Sequence, residues 1–190
     1  AQLPLAAGLA LACQYKGSGG MVLVFFGDGA VNQGVFHETM NLAAVWALPL
    51  LFFLENNLYG MGTSIERTRA GGTDIYPVAA SYGTEAVVID GMDVLAVREA
   101  TSEAVKKIRA GEGPKFIEAK TYRFQGHSMA DPARYRDQAE LEHWLARDPL
   151  STFPKLMLDR EIATAQEIEA VRESVVKEIS AAIKFASESP

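Results

Sequence analysis

Two short polar motifs carry the side chains best placed to do chemistry, and each follows a continuous apolar run. Gly27-Asp28-Gly29 comes after the first run and Asn56-Asn57 after the second. Such runs are typical of strands buried on both faces of a parallel sheet. Because neighbouring parallel strands lie about 5 Å apart and end at the same edge, Asp28 and Asn57 are expected to face one point. Carboxylate and amide oxygens suit Mg²⁺ rather than zinc.

The first motif also offers donors for a phosphate group. Glycines leave the backbone open to close approach, and the N–H groups of Gly29 and Ala30 lie near the start of the next predicted helix, where anions bind. A diphosphate bridged by magnesium therefore fits the carboxyl edge of this sheet. Each motif alone is weak evidence, since Gly-Asp-Gly is usually a turn and Asn-Asn a loop. Their joint placement makes the prediction specific.

The elements that must position these motifs alternate between strand and helix. Four apolar runs predict the strands of one sheet: Met21–Phe26, Leu50–Leu54, Val87–Ile89 and Lys115–Tyr122. The first connecting helix ends before Pro49, while a later helix begins at the N-cap residue Asp93 and ends at Gly111. This order predicts an α/β fold: a doubly wound, mainly parallel sheet with helices on both faces.

A helical extension is predicted after a long loop. Residues 123–136 show no periodicity, which is typical of a loop that carries function. Two helix starts are predicted from pairs with the spacing of a capping box: Asp137 with Glu140, and Thr164 with Glu167. We therefore divide the chain into an α/β domain, residues 1–136, and a helical extension, residues 137–190, that packs on this domain or on a partner subunit.

The composition limits the kinds of partner. Asp and Glu outnumber Lys and Arg by 24 to 18, and no basic run is present, so nucleic acid is not expected as a partner. The single cysteine, Cys13, allows no intrachain disulfide. The apolar stretch from Leu3 to Cys13 is too short to span a bilayer, so no membrane association is expected. Because the chain starts at Ala1 inside this apolar pattern, we expect it to be a fragment.

Five stretches extend the two motifs into a longer pattern: Gly27–Gly34, Glu55–Ser64, Asp90–Asp93, Thr121–Arg123 and Gly126–Pro132. Together they resemble the thiamine-diphosphate-dependent 2-oxo acid dehydrogenases, and within that family the alpha subunits of pyruvate dehydrogenases (acetyl-transferring). The resemblance runs over the whole chain. It implies the thiamine-diphosphate-binding fold, with thiamine diphosphate and Mg²⁺ as cofactors.

The resemblance also implies roles for individual residues. In the family, magnesium is held by the residues that correspond to Asp28, to the side chain of Asn57 and to the main-chain carbonyl of Tyr59. His127 corresponds to a histidine on the diphosphate side of the cofactor that assists proton handling, a task suited to an imidazole that titrates near neutral pH. Without the resemblance, His127 would be interpreted as a loop histidine with local hydrogen bonds.

The implied reaction is the oxidative decarboxylation of pyruvate, with transfer of the acetyl group to a lipoyl carrier. The expected partners are a beta subunit in a heterotetramer, a lipoyl-bearing transacetylase core and a small 2-oxo acid. The expected location is the cytoplasm of a bacterium or the mitochondrial matrix of a eukaryote. An acetoin or branched-chain 2-oxo acid dehydrogenase is the alternative substrate class. The fragment alone is expected to be inactive, because the family pattern includes an upstream segment that helps to hold the pyrimidine and the substrate and this sequence starts after it. The family's activating glutamate lies on the beta subunit, so no residue of this chain is assigned that role.

A magnesium-dependent phosphoryl-transfer domain is the alternative from a different class. Asp28 would then be a metal ligand or a nucleophile. No Gly-rich loop ending in Lys-Ser or Lys-Thr is present, and this hypothesis gives Asn57 and His127 no role. A third hypothesis is a non-catalytic remnant that keeps the fold and the metal site without completing an active site.

Overall fold

The central sheet of the computed structural model is parallel throughout. The part of the chain that the structure describes, residues 2–189, contains six strands: β1 (Val22–Gly27), β2 (Leu50–Asn56), β3 (Tyr59–Gly60), β4 (Thr63–Ser64), β5 (Glu85–Asp90) and β6 (Lys115–Lys120). The sheet has the order β1-β2-β6-β5, and β3 pairs with β4 in a separate antiparallel hairpin. The inner strands β2 and β6 are almost continuously buried, whereas the edge strands are partly exposed. The four predicted strands are confirmed.

Helices pack on both faces of this sheet, which confirms the predicted doubly wound arrangement. The α-helices of residues 2–189 are α1 (Gln2–Tyr15), α2 (Gly34–Val45), α3 (Val94–Arg109), α4 (Gln138–Leu145), α5 (Pro149–Asp159) and α6 (Ala165–Glu188). On one face, Leu50 and Phe52 of β2 join a core with α1 and with Phe36 of α2. On the other face, Leu51 and Phe53 join a core with α3. Successive residues of a strand point to opposite faces, so β2 contributes to both cores.

Two of the predicted helix starts are confirmed by their caps. The Asp93 carboxylate accepts hydrogen bonds from the N–H groups of Leu95 at 2.8 Å and Ala96 at 3.2 Å, and α3 begins there. Thr164 and Glu167 form a reciprocal capping box at the start of α6. These bonds satisfy N–H groups that have no partner inside the first helical turn.

The third predicted helix start, at Asp137, differs from the predicted capping box. Asp137 caps α4 by accepting a hydrogen bond from the N–H of Ala139 at 3.1 Å. Glu140 does not complete a capping box with it. Its carboxylate instead accepts hydrogen bonds from the hydroxyl groups of Tyr59 and Tyr122. The predicted capping box is therefore wrong for Glu140, because its carboxylate bonds to residues that are distant in sequence.

Sequence reasoning misses one helix, α5. Asp148 accepts a hydrogen bond from the N–H of Leu150 at 2.9 Å and Pro149 occupies the first turn, so the start signals were present.

The chain divides into two compact units, Ala1–Ala146 and Arg147–Pro190. The predicted boundary after residue 136 assigns α4 to the extension, whereas α4 belongs to the first unit. How the extension packs stays a prediction. None of the helices between residues 2 and 189 is long and apolar enough to cross a membrane.

Candidate cofactor and metal site

The ends of β1 and β2 bring Asp28 and Asn57 together, as the two motifs predict. The register of the parallel pair places Gly27 opposite Glu55, so both strands end at one edge. Asp28 begins a 3₁₀ turn, Asp28–Asn32, and is only 4% exposed. The main-chain N–H of Asn57 lies close enough to the Asp28 carboxyl group to lower its pKa. The chain segments that follow β1 and β2 are therefore in direct contact.

The pKa of the Asp28 carboxyl group reflects its buried position. Burial raises the pKa of the Asp28 carboxyl group, and the nearby charge of Glu118 adds to that rise. Main-chain N–H donors and the Arg123 guanidinium act in the opposite direction but do not outweigh burial. A buried carboxylate with a raised pKa favours a bound cation, because the cation replaces the lost hydration.

The two asparagines after β2 have different surroundings. The side-chain oxygen of Asn57 accepts the N–H of Tyr59 at 3.1 Å, and Leu58 between them has the left-handed backbone angle φ of 69°. This turn leads into the β3–β4 hairpin. Asn56 is fully buried, and its amide donates to Glu118 at 2.6 Å and to the carbonyl of Thr73 at 2.9 Å. Asn56 therefore holds the strand end in place, and Asn57 stays the predicted ligand.

Gly29 and Gly60 lie close together, one on each of the two segments. A Cβ atom added to Gly29 would lie 3.6 Å from the Gly60 Cα, and one added to Gly60 would lie 3.7 Å from the Gly29 Cα. The predicted phosphate donors, Gly29 and Ala30, belong to the 3₁₀ turn rather than to α2, which begins at Gly34. The first turn of a helix leaves N–H groups available to an anion, so this 3₁₀ turn is suited to bind a phosphate. The assignment of Gly29 and Ala30 as phosphate donors stays a prediction.

The donor set fits magnesium. Asp28 would supply a carboxylate, Asn57 an amide oxygen with a second lone pair, and Tyr59, two residues after Asn57, a main-chain carbonyl. One carboxylate with neutral oxygen ligands leaves coordination positions for diphosphate oxygens, as is usual for Mg²⁺. Residues 2–189 hold no group of three or more His, Cys, Asp or Glu residues arranged to bind a metal. A site of the histidine and cysteine type is therefore not offered by the described part of the chain.

His127 lies on the long loop, and its side chain is exposed. Its main-chain N–H donates to the Asp131 carboxylate at 2.7 Å, and the same carboxylate accepts the Tyr135 hydroxyl at 2.6 Å and the Ala133 N–H at 2.9 Å. These bonds, the one from Tyr135 foremost, lower the pKa of Asp131 to about 2. Within residues 2–189, no hydrogen bond joins the His127 ring to Asp28 or Asn57, so its assignment stays a prediction.

The loop is nevertheless fastened to the segment that carries Asn57. Arg123 donates to the carbonyl of Met61 at 2.8 Å and to the Tyr135 hydroxyl at 3.0 Å, which joins the β3–β4 turn to the loop. Arg136 donates to the carbonyls of Arg123 and Gln125. Two arginines thus hold the His127 loop and the Asn57 hairpin in one arrangement.

Sequence reasoning missed Glu118, the buried anchor beneath the site. It is 0% exposed, and its carboxylate accepts the N–H groups of Ile75 at 2.7 Å and Tyr76 at 2.6 Å in addition to the Asn56 amide. Lys120 pairs with it at 2.7 Å. The available signal was a carboxylate in the middle of a strand that is otherwise buried and apolar.

The family model described as dehydrogenase E1 component matches residues 1–190. Among the similar curated proteins is the pyruvate dehydrogenase E1 component subunit alpha of Rickettsia felis, 40% identical over 100% of this chain and 58% of its own length. The corresponding protein of Zymomonas mobilis is 44% identical over 100% of this chain and 53% of its own length. The testis-specific mitochondrial form of Homo sapiens is 46% identical over 100% of this chain and 49% of its own length. The chain spans about half the length of these relatives.

Proposed function

The chain belongs to the dehydrogenase E1 component family, and from this premise we propose that it holds the Mg²⁺ and the diphosphate of thiamine diphosphate where β1 and β2 end. The observation that carries the proposal is the buried Asp28 carboxylate in contact with the N–H of Asn57. The metal ligands would be Asp28, the side-chain oxygen of Asn57 and the main-chain carbonyl of Tyr59. The N–H groups of Gly29 and Ala30 would donate to the diphosphate.

The proposed activity is that of an alpha subunit of a 2-oxo acid dehydrogenase, with pyruvate as the substrate and a lipoyl group as the acetyl acceptor. The names of the relatives, pyruvate dehydrogenase E1 component subunit alpha, support pyruvate over acetoin or a branched-chain 2-oxo acid. The phosphoryl-transfer alternative receives no such support. It also has no use for the contact between Asp28 and the segment of Asn57.

The residues of this chain would bind and orient the cofactor and would not themselves supply the electron sink. When bound, thiamine diphosphate provides the ring that accepts the electron pair released when carbon dioxide leaves the substrate. Asp28 and Asn57 would hold the metal and, through it, the diphosphate at the sheet edge. His127 would carry a proton on its imidazole near the reacting carbon, on a loop that Arg123 ties to the Met61 carbonyl at 2.8 Å.

The proposed partners are a beta subunit, in an enzyme of two alpha and two beta subunits, and the lipoyl-bearing transacetylase core. The relatives are named as an alpha subunit of an E1 component, which supports a second kind of subunit. Bacterial and mitochondrial proteins are both among the relatives. The proposed location is accordingly the cytoplasm in a bacterium or the mitochondrial matrix in a eukaryote.

Calorimetric titration tests the proposed cofactor. Thiamine diphosphate is titrated in the presence of Mg²⁺ into this chain alone and into the complete subunit co-expressed with a beta subunit. We expect saturable binding only in the paired protein, and we expect EDTA to abolish it. No binding in either sample would overturn the cofactor assignment, whereas full binding to the chain alone would overturn the shared site.

Replacing His127 by alanine is expected to lower turnover of the paired enzyme by about 10²–10⁴-fold, the usual contribution of a general acid or base. Cofactor affinity should fall much less, because Asp28 and Asn57 remain. Steady-state rates at saturating cofactor measure the first effect, and calorimetry measures the second. Ser128→Ala, the exposed neighbour on the same loop, is the matched control. A normal rate in His127→Ala would return this residue to a structural role.

A further inference from the structure

Glu140 of α4 lies between two tyrosines of the site region and is half-buried. Its Oε2 atom accepts a hydrogen bond from the Tyr59 hydroxyl at 2.8 Å and from the Tyr122 hydroxyl at 3.3 Å. Tyr59 belongs to β3, beside Asn57, while Tyr122 follows the end of β6. One carboxylate therefore joins α4 to the hairpin that follows β2 and to the start of the long loop.

Two aromatic rings also pack against the Tyr59 side chain. The Tyr135 ring lies 5.7 Å from it, and the Tyr122 ring packs edge-on at 6.5 Å between centroids. Trp144, one helical turn after Glu140, stacks on Tyr122 at 5.4 Å with the planes 5° apart. Residues four apart share one face of a helix, so α4 presents the carboxylate and the indole to the same cluster.

The backbone around Tyr59 forms a short hairpin, held by the bond of the Tyr59 N–H to the Asn57 side chain and by the bond from Arg123 to the Met61 carbonyl. β3 and β4 contain two residues each, and they pair only with each other. Such a short hairpin is not stable by itself. The preceding residue, Leu58, and the following turn residue Met61 both have left-handed φ angles, 69° and 56°. The anchor of the Tyr59 side chain therefore adds to these backbone contacts in fixing the position of the Tyr59 carbonyl.

We propose that Glu140 is a positioning residue for the magnesium site. By holding the Tyr59 hydroxyl, it fixes the main-chain carbonyl of Tyr59 next to Asn57 and Asp28, so that all three oxygens are preorganised for the metal. The inference rests on the proposed function, because the Tyr59 carbonyl is a metal ligand only there. Residues that orient metal ligands typically alter metal affinity by about 10–100-fold when they are replaced.

The test measures Mg²⁺ affinity in the complete subunit paired with its beta subunit, at saturating thiamine diphosphate. Glu140→Ala and Tyr59→Phe are each expected to weaken Mg²⁺ binding by about 10–100-fold. Glu140→Gln should retain most of the affinity, because its amide oxygen can still accept both hydroxyl groups. Combining Glu140→Ala with Tyr59→Phe should add little, since both changes remove the same bond.

Two control variants separate positioning from general damage to α4. Glu142→Ala removes an exposed carboxylate of the same helix that accepts a hydrogen bond from Gln138 within the helix, and it should leave Mg²⁺ affinity unchanged. Tyr122→Phe removes the longer of the two hydroxyl bonds and should weaken Mg²⁺ binding less than Tyr59→Phe. In Glu140→Ala, turnover should recover at high Mg²⁺, because the defect lies in metal binding and not in the reacting groups.

Amide hydrogen exchange provides a readout without the loaded enzyme. Glu140→Ala should speed exchange in residues 57–64 and leave β1 and β2 unchanged. Normal Mg²⁺ affinity and normal exchange in both Glu140→Ala and Tyr59→Phe would overturn the positioning role. If Glu140→Ala does not fold, Tyr59→Phe alone tests the positioning role, because it deletes only a single hydroxyl group. Retained Mg²⁺ binding in Asp28→Ala would instead overturn the proposed function, so the two failures are distinguishable.

Discussion

Asp28→Ala, in the complete subunit paired with its beta subunit, is expected to abolish magnesium-dependent binding of thiamine diphosphate. Asp28 provides the one carboxylate of the proposed ligand set, and it lies 4% exposed beneath the segment that follows β2. Without it, the site keeps only neutral oxygens, which hold Mg²⁺ poorly. Calorimetry should show no saturable heat at cofactor concentrations that saturate the unchanged protein.

Glu38→Gln is the matched control, because it removes one exposed carboxylate from α2, the helix that follows the 3₁₀ turn. Its cofactor affinity should equal that of the unchanged protein. Unchanged Mg²⁺-dependent binding in Asp28→Ala would refute the metal assignment. Loss of binding in both variants would point to a general charge effect instead.

The same carboxylate is expected to reduce stability when no metal is bound. Burial raises the pKa of Asp28 in the folded state, so the folded protein holds this proton more tightly than the unfolded chain does. Stability is therefore lost as the pH rises from the unfolded value near 3.8 through the raised folded value. Asp28→Asn should stabilise the metal-free protein at pH 7 by roughly 0.5–2 kcal/mol, the common range for a favourable single substitution. The gain in urea midpoint should shrink as the pH falls toward 4.

Glu118→Ala is expected to destabilise the protein by about 3–5 kcal/mol, the cost of removing one partner from a buried ion pair. The carboxylate is 0% exposed and satisfies the N–H groups of Ile75 and Tyr76, the Asn56 amide and the Lys120 ammonium. Alanine would remove the acceptor of the buried Ile75 N–H and of the partly buried Tyr76 N–H. The Asn56 amide would keep the Thr73 carbonyl, and the Lys120 ammonium would keep Asp74. Urea unfolding followed by circular dichroism measures the loss.

A second carboxylate of the same sheet supplies the comparison. Glu85 of β5 pairs with Lys107 at 2.7 Å, but its side chain is 46% exposed. Glu85→Gln should therefore cost less than about 1 kcal/mol, as is usual for surface ion pairs. Equal losses in Glu85→Gln and Glu118→Ala would contradict the buried-anchor interpretation. Glu118→Gln, which keeps one acceptor oxygen, should fall between them and remains measurable if the alanine variant does not fold.

The sequence by itself determined the strands, the helix caps at Asp93 and Thr164, and the meeting of Asp28 with the segment of Asn57. These features depend on local patterns. A continuous apolar run must be buried on both faces, and a carboxylate or hydroxyl at a helix start satisfies the free N–H groups beside it. Two adjacent parallel strands then bring their ends to one edge whatever the remaining side chains do.

Only the tertiary structure decided which groups support that edge. Glu118 reaches Ile75 across 43 residues and Asn56 across 62, and Tyr59 reaches Glu140 across 81. Nothing in local spacing selects such partners, and for Glu140 the local pattern favoured a capping box instead. A polar side chain can accept from many donors, and packing of the sheet, the hairpin and α4 excludes all but one arrangement. The candidate site residues could therefore be predicted from the sequence. The residues that support them could be identified only from the tertiary structure.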